Sequence, residues 1–122
     1  MTTAILLIAH GSRKAAANAD LVHLAKQLES RRPDAIVEIA YLELAEPTIP
    51  QGAVACVERG AAQVRMLPFF LSPGAHVVDD LERFRSDFEH LYPGVEFVLC
   101  PPLGLHPLLI EILLDRLEEH LS

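Results

Sequence analysis

Two histidines and a glutamate stand directly after apolar segments of this 122-residue chain. His10 follows the run LLIA, Glu43 follows AIVEIAYL, and His76 closes the segment FFLSPGAH. Imidazole nitrogen and carboxylate oxygen are suitable ligands for divalent iron, cobalt, nickel or zinc. Because the ordinary pKa of histidine is near neutral, the same groups can accept protons at physiological pH. These residue types therefore predict a site that handles a metal ion and removes protons.

A regular alternation of strands and helices has to position these residues. Apolar and β-branched runs predict four strands, at Thr3–Ala9, Ala35–Leu42, Ala62–Pro68 and Val95–Cys100. Apolar residues at steps of three and four predict helices at about Arg13–Arg31, Pro47–Arg59, His76–Leu91 and from Pro107 onwards. This order predicts an α/β fold with a flavodoxin-like four-stranded parallel sheet, strand order 2-1-3-4, and helices on both faces. We expect one domain over residues 1–122.

The sequence also predicts which residues begin the first two helices and which apolar residues the last helix contains. The Ser12 hydroxyl is expected to cap the first helix, and Pro47 to lie in the first turn of the second. The last helix has apolar residues at Leu105, Leu108, Leu109, Ile112, Leu113, Leu117 and Leu121.

The predicted strand order brings the three polar residues to one edge of the sheet. Strands 1 and 3 are neighbours whose chains leave toward opposite faces, so a crevice opens at their carboxyl ends. His10 and His76 would border this crevice, and strand 2 delivers Glu43 to the same edge. Arg13, Lys14 and the backbone N–H groups after His10 can hold an anionic substrate at the start of a helix.

Each of these side chains also has an ordinary structural explanation. His10 can be a loop residue bonded to backbone, and His76 a helix cap or an interface residue. Glu46 fits a cap ahead of the second helix, and Asp79 and Asp80 fit the first turn of the third.

The remaining four histidines are predicted to have no catalytic role. His106 precedes Pro107 and fits a capping or loop position. The others lie on predicted helices without a carboxylate or histidine at ligand spacing: His23, His90 and His120.

Composition and charge exclude several classes of protein. A hydrophobic content of 51% excludes a disordered chain. The net charge of −7, without basic clusters, argues against nucleic acid and anionic membranes as partners. Cys56 and Cys100 have no metal or redox spacing, so we expect free thiols in a reducing compartment. No stretch resembles a membrane span or a signal peptide, and the expected location is the cytoplasm.

Four segments together resemble the sirohydrochlorin chelatase family in its short, single-domain form. They are LLIAHGSR, YLELAEPTIPQG, LPFFLSPGAHVVDDL and PLGLHPLLIEILLDRL, which occur in order over nearly the whole chain. The resemblance implies a lyase that inserts divalent cobalt, iron or nickel into sirohydrochlorin, a tetrapyrrole with eight carboxylates, in cobalamin or sirohaem biosynthesis. The metal is then a substrate, and no prosthetic group is implied. Short members are expected to pair as homodimers, since they resemble one half of a two-lobed cleft.

The resemblance also assigns roles to positions of this chain. His10 and His76 are implied as metal ligands that take part in removing protons from the pyrrole nitrogens, with Glu43 as a catalytic helper. Further residues are implied to contact the substrate: Ser12, Arg13, Glu46, Leu71, Ser72, Pro73, Gly74 and Ala75. The apolar side chains Phe69 and Phe70 beside this loop suit a flat macrocycle.

Two other functions remain as alternatives. One is a non-catalytic carrier of metal or tetrapyrrole, which would bind its ligand without turnover. The other is a histidine phosphatase, because His10-Gly11 follows the first strand. That chemistry needs an arginine directly before the histidine to hold phosphate, and Ala9 stands there.

Overall fold

The computed structural model describes residues 1–119 and consists of four strands alternating with four helices. The strands are β1 (Thr3–Ala9), β2 (Ile36–Tyr41), β3 (Gln63–Pro68) and β4 (Glu96–Leu99). The helices are α1 (Ala15–Arg31), α2 (Ile49–Glu58), α3 (Ala75–Leu91) and α4 (Leu108–Glu118).

All four strands form one parallel sheet in the order β2-β1-β3-β4. The register pairs Ala9 with Tyr41 and Ile8 with Pro68, so β1, β2 and β3 end at the same edge. The predicted α/β class, strand order and parallel pairing are confirmed. The predicted strand bounds agree to within one residue at each end.

The core consists of two apolar clusters, one on each face of the sheet. Successive side chains of a strand point to opposite faces. Leu6 and Ile8 of β1 therefore join the cluster under α2 and α3, while Ile5 and Leu7 join the cluster under α1. The cluster under α2 and α3 is the larger of the two. Helices cover both faces, as predicted, but within residues 1–119 α1 is the one helix that packs on its face.

Three predictions about helix starts are wrong in detail. Ser12 is not the N-cap of α1, because the helix begins later, after Lys14, and lacks a side-chain cap. Glu46 and Pro47 precede the true cap of α2, where the Thr48 hydroxyl accepts from the Gln51 N–H at 3.3 Å. Thr48 and Gln51 form a capping box, in which the Gln51 side chain also accepts from the Thr48 N–H, and this fixes the start of α2.

The two aspartates of α3 lie beyond its first turn. Because α3 begins at Ala75, the first turn contains no acidic residue, and Asp79 and Asp80 come in the second turn. His106 lies in the loop before α4, which agrees with the prediction of a capping or loop position. Its Nδ1 accepts from the Leu108 N–H at 3.1 Å, while the N-cap residue is Pro107.

The fourth helix buries none of the predicted apolar residues that it contains, which are Leu108, Leu109, Ile112, Leu113 and Leu117. The prediction is wrong for Leu105, which lies outside the helix because the helix begins at Leu108. The helix does not pack extensively against any other helix or strand of residues 1–119. Two predictions for this end, on Leu121 and His120, fall outside the described residues.

Both cysteines are free thiols: Cys56, on α2, is buried, and Cys100 is partly exposed. Burial raises the pKa of the Cys56 thiol to about 12. Within residues 1–119, no helix has the length and apolar character needed to cross a membrane.

Candidate functional site

The site is built on a hydrogen bond between two side chains that follow neighbouring strands. His10 Nε2 lies 2.7 Å from Glu43 Oε1. The backbone brings them together because the β1–β2 pairing continues past the strands: Leu42 N–H donates to Ala9 at 2.9 Å, and Glu43 N–H donates to His10 at 3.0 Å. Both side chains are more than half exposed, at 53% and 56%, so the pair faces open space.

A tight crossing of two loops holds this pair in place. Gly11 has a φ of +102°, and a Cβ at this position would lie 1.8 Å from the Glu43 carbonyl oxygen. Only glycine fits such a close approach and such a φ. The other loop is closed by Tyr41 N–H, which donates to Pro47 at 2.8 Å, and Leu44 adopts a φ of +66° within it. Such backbone strain in a non-glycine residue is concentrated at functional sites.

The pair has a defined proton arrangement. Because a carboxylate only accepts hydrogen bonds, the bond to Glu43 selects the tautomer of the neutral His10 imidazole that carries its proton on Nε2 and its lone pair on Nδ1. The Phe70 ring contacts the imidazole edge-on, with ring centroids 6.3 Å apart. His10 is therefore an oriented imidazole, able to bind a metal ion or to accept a proton through Nδ1.

His76 lies at the border of the same region. It is the second residue of α3 and is exposed. The adjacent Val77 and the following Asp80 line the cavity that His10 and Glu43 also line. Within residues 1–119, no three or more His, Cys, Asp or Glu side chains form a cluster that could hold a metal ion. The metal-binding role of His10 and His76 therefore stays a prediction.

The cavity beside the pair has a volume of about 420 Å³ and mixed walls. Apolar walls come from Leu42 and from Val77 and Phe84 of α3. The same helix adds three charged side chains, Asp80, Arg83 and Asp87. Asp80, which was predicted to be structural, therefore also lines the cavity. There it accepts a hydrogen bond from Arg83 at 3.2 Å. Five of the eight lining residues are polar or charged, so this cavity is more polar than the apolar cleft that usually binds a small molecule.

Asn18, which was not predicted as a site residue, fixes the loop that carries His10. Its side-chain oxygen accepts from Ser12 N–H at 3.0 Å, and its amide nitrogen donates to the Ser12 carbonyl at 2.7 Å. The Tyr41 hydroxyl donates to the Asn18 carbonyl at 2.7 Å. Burial raises the pKa of Tyr41, so the hydroxyl stays protonated and keeps donating. The only sign of this role in the sequence is that Asn18 is a polar residue in the first turn of a helix.

The residues predicted to contact substrate lie around the same edge. Ser12 follows His10 and accepts from Lys14 N–H through its hydroxyl at 3.1 Å, while Arg13 is exposed. Glu46 follows the Glu43 loop and accepts from the Gln51 amide at 3.3 Å. The segment 71–75 joins β3 to α3 and includes the first residue of that helix. None of these residues lines the cavity itself, so their contacts with substrate stay predictions.

Two helices present uncapped N-termini at this edge. Neither α1 nor α3 has a side-chain cap or an acidic residue in its first turn. Their free N–H groups and positive dipole ends follow directly after the His10 loop and after the segment 71–75. Such termini attract anionic groups.

Comparison with known proteins assigns the chain to a family. The model of the CbiX family matches residues 4–120. The chain belongs to the CbiX family. It is 36% identical to sirohydrochlorin ferrochelatase, chloroplastic, of Arabidopsis thaliana, over 97% of this chain and 52% of the relative. It is 30% identical to sirohydrochlorin cobaltochelatase of Methanocaldococcus jannaschii, over 93% of this chain and 96% of the relative.

A solved structure shares the fold of this CbiX-family chain. The crystal structure of the sirohydrochlorin chelatase SirB from Bacillus subtilis subspecies spizizenii, in complex with cobalt, superposes with a TM-score of 0.89 at 29% identity. The superposition covers 97% of this chain and 50% of SirB. The chain thus spans about half the length of SirB and of the Arabidopsis relative, and nearly all of the Methanocaldococcus relative.

Proposed function

We propose that this chain is a chelatase that inserts a divalent metal ion, Co²⁺, Fe²⁺ or Ni²⁺, into sirohydrochlorin, in cobalamin or sirohaem biosynthesis. The observation that carries the proposal is the His10–Glu43 hydrogen bond of 2.7 Å beside a partly apolar cavity. The CbiX family membership, with relatives named as ferrochelatase and cobaltochelatase of sirohydrochlorin, supports the same activity.

Metal insertion releases two protons from the pyrrole nitrogens as the metal forms bonds to all four ring nitrogens. An imidazole with a free lone pair on Nδ1 can first bind the incoming ion and then accept a proton. Glu43 stabilises the protonated imidazole through the bond to Nε2. His76, on the first turn of α3, is proposed as the second ligand and proton acceptor.

The net charge of the protein repels the proposed anionic substrate, whereas groups close to the site attract it. A net charge of −7 repels a polycarboxylate at long range, although salt screens this repulsion beyond about 8–10 Å. The free N-termini of α1 and α3 attract carboxylates at short range. The exposed Arg13 adds a guanidinium group, whereas Arg83 on the cavity wall is already paired with Asp80.

The proposal includes the assembly, the location and the nature of the metal. A homodimer supplies a second wall for a pair that is more than half exposed in one copy. A reducing cytoplasm suits the free thiols of Cys56 and Cys100. The metal ion is a substrate, and the proposed reaction needs no prosthetic group.

The test is the initial rate of metal insertion, followed by the absorbance change of sirohydrochlorin with cobalt, iron and nickel in parallel. His10→Ala and His76→Ala should each lower the rate about 100-fold or more, the usual contribution of a positioned acid–base group. Glu43→Gln should also lower the rate, since the amide cannot stabilise a protonated imidazole. His23→Ala is the matched control, because His23 is exposed on α1 and should leave the rate unchanged. Wild-type rates equal to the uncatalysed rates with all three metals would exclude the activity.

A further inference from the structure

The proposed reaction leaves one carboxylate of the cavity wall without a role, that of Asp80. This residue lies on the second turn of α3, is half-buried, and lines the cavity together with His10 and Glu43. Arg83 donates to its Oδ1 at 3.2 Å. Among residues 1–119, the other carboxylate oxygen, Oδ2, has no hydrogen bond. One oxygen of Asp80 is therefore able to accept a further hydrogen bond at the wall of the cavity.

His76 comes four residues before Asp80 on the same helix. At 100° per residue, the five cavity-lining residues of α3 fall within an arc of about 120° of the helix, and His76 falls inside this arc. Residues four apart on a helix are neighbours, with Cβ atoms about 5–6 Å apart. The spacing therefore places an imidazole and a carboxylate next to each other on the side of α3 that faces the cavity.

The direction of helical side chains favours a contact from Asp80 to His76. Side chains of an α-helix lean toward its N-terminus and cover the preceding turn. Arg83 follows this rule, since its guanidinium group reaches back three residues to Asp80. In the same way, the Asp80 carboxylate leans toward the turn that carries His76. The three side chains can thus form a series along the helix in which Asp80 accepts from both neighbours.

The His76 ring needs a partner from another side chain. Within residues 1–119, the rings of three histidines make hydrogen bonds, and His76 is not among them. His90, in the last turn of α3, donates through Nδ1 to the Ser86 carbonyl one turn earlier at 2.8 Å. His76 has no helical carbonyl one turn earlier, because α3 begins at Ala75. A bond that fixes the orientation of this ring must therefore come from a side chain.

We infer that Asp80 is a positioning residue for His76. When His76 binds the metal ion through one ring nitrogen, Asp80 Oδ2 accepts a hydrogen bond from the other. The inference rests on the proposed function, in which His76 is the second metal ligand. The site then contains two histidine–carboxylate pairs, His10 with Glu43 and His76 with Asp80. A carboxylate bonded to a ligating histidine fixes the orientation of the ring and raises its basicity.

The adjacent Asp79 is the other carboxylate near His76 on this helix. It comes three residues after His76, but it is exposed and lies about 40° outside the arc that faces the cavity. A bond to Asp79 would draw the ring away from the cavity that His10 lines, whereas a bond to Asp80 keeps the ring beside it. Arg83 also favours Asp80, because its bond to Oδ1 holds that carboxylate at the cavity wall. The geometry therefore selects Asp80.

The first test compares the steady-state kinetics of metal insertion for the wild type, Asp80→Ala and Asp79→Ala. The two variants are matched, because each replaces one aspartate of the same turn of α3 by a good helix former. Asp80→Ala should lower kcat/KM for Co²⁺ about 10- to 100-fold and change the KM for sirohydrochlorin less than about twofold. Asp79→Ala should change both values less than about twofold, since it does not orient the ligand. Equal losses in the two variants would overturn the inference.

Two more variants identify the group through which Asp80 acts. Asp80→Glu keeps a carboxylate and should restore kcat/KM for Co²⁺ to within about fivefold of the wild type, because the acceptor is retained. Arg83→Gln breaks the bond to Oδ1 but leaves the carboxylate, so it should lower kcat/KM for Co²⁺ much less than Asp80→Ala does. If Arg83→Gln loses as much as Asp80→Ala, the aspartate acts by holding Arg83 and the inference is wrong.

The second test measures the binding of Co²⁺ without sirohydrochlorin, by titration calorimetry, in a double-mutant cycle. Asp80→Ala should raise the Kd for Co²⁺ about 10-fold or more in the wild type but less than about twofold in His76→Ala, since the aspartate acts through His76. Equal effects in both proteins would overturn the inference, as would a wild type that binds Co²⁺ no more tightly than His76→Ala. The Arg83–Asp80 ion pair is exposed and contributes little to stability, so Asp80→Ala should unfold near the wild-type temperature.

The outcomes separate this inference from the chelatase activity. A wild type that inserts metal, together with an Asp80→Ala variant that equals Asp79→Ala, would refute the role of Asp80 alone. A wild type without insertion activity, whose affinity for Co²⁺ depends on Asp80 through His76, would refute the chelatase and leave the positioning role in place.

Discussion

Gly11 offers a sharp perturbation of the site, because the loop after β1 crosses the loop after β2 at this residue. Gly11→Ala adds a Cβ that would lie 1.8 Å from the Glu43 carbonyl oxygen, whereas contacts below 3.0 Å essentially never occur. The loops must therefore separate by about 1 Å or more. A displacement of this size lowers enzymatic rates about 100-fold. We expect the rate of metal insertion to fall by at least that factor, because the 2.7 Å bond between His10 and Glu43 is stretched or lost.

Gly60→Ala separates the effect of the clash from the effect of backbone strain. Gly60 also has a positive φ, of +93°, but a Cβ there meets nothing within 4 Å. Its substitution should cost about 1–3 kcal/mol of stability through strain alone. For a chain of this size that lowers the Tm by about 4 °C per kcal/mol, and the insertion rate should be unchanged.

The assay compares both variants by thermal unfolding and by insertion rate below the lower of the two transitions. Circular dichroism at the assay temperature confirms that each variant is folded. If folded Gly11→Ala inserts metal at the wild-type rate, the close approach of the two loops does not position the catalytic pair. If Gly60→Ala loses activity to the same degree, strain or instability explains both variants.

Three further predictions concern stability. Asn18→Ala removes both hydrogen bonds to Ser12 and should lower the free energy of unfolding by about 1–3 kcal/mol in urea titrations, together with the insertion rate; an unchanged rate would show that the loop holds its shape without Asn18. Thr48→Ala breaks the capping box with Gln51 and should cost about 1 kcal/mol in the same titration with the rate retained; a loss above 3 kcal/mol would contradict a purely local cap. Burial keeps the Cys56 thiol protonated in the folded state from its ordinary pKa of 9.0 up to about 12. Unfolding releases this proton in that window, so the free energy of unfolding should fall with rising pH by up to about 1.4 kcal/mol per unit. Cys56→Ala should show a shallower slope, and an equal slope would contradict the raised pKa.

The fold was predictable because its signals are local and agree with one another. Apolar runs, which predict strands, alternate with segments whose apolar residues recur at every third or fourth position, which predict helices. The parallel pairing follows because a helix lies between successive strands. That order was also enough to expect His10 and Glu43 at one edge, since they follow neighbouring strands. The single-domain prediction for residues 1–122 stays a prediction.

The predictions that were wrong, and the features that were not predicted, depend on contacts that the local pattern of residue types does not show. Ser12 was expected to cap α1, but its backbone is bonded to Asn18 and the helix starts at Ala15. The clash that makes Gly11 necessary depends on a second loop far along the sequence. The exposure of α4 was equally invisible, because an apolar periodicity shows that a helix needs cover and does not show which surface supplies it.

A multiple-turnover progress curve tests the chelatase most directly. The protein is added at a small fraction of the sirohydrochlorin concentration, with cobalt, iron or nickel in excess, and product is followed by absorbance. A chelatase forms many equivalents of metallated product per chain, and His10→Ala returns the curve to the uncatalysed rate. Product that stops at one equivalent per site, or a wild-type curve equal to the uncatalysed one with every metal, would contradict catalysis; the former result would indicate a carrier.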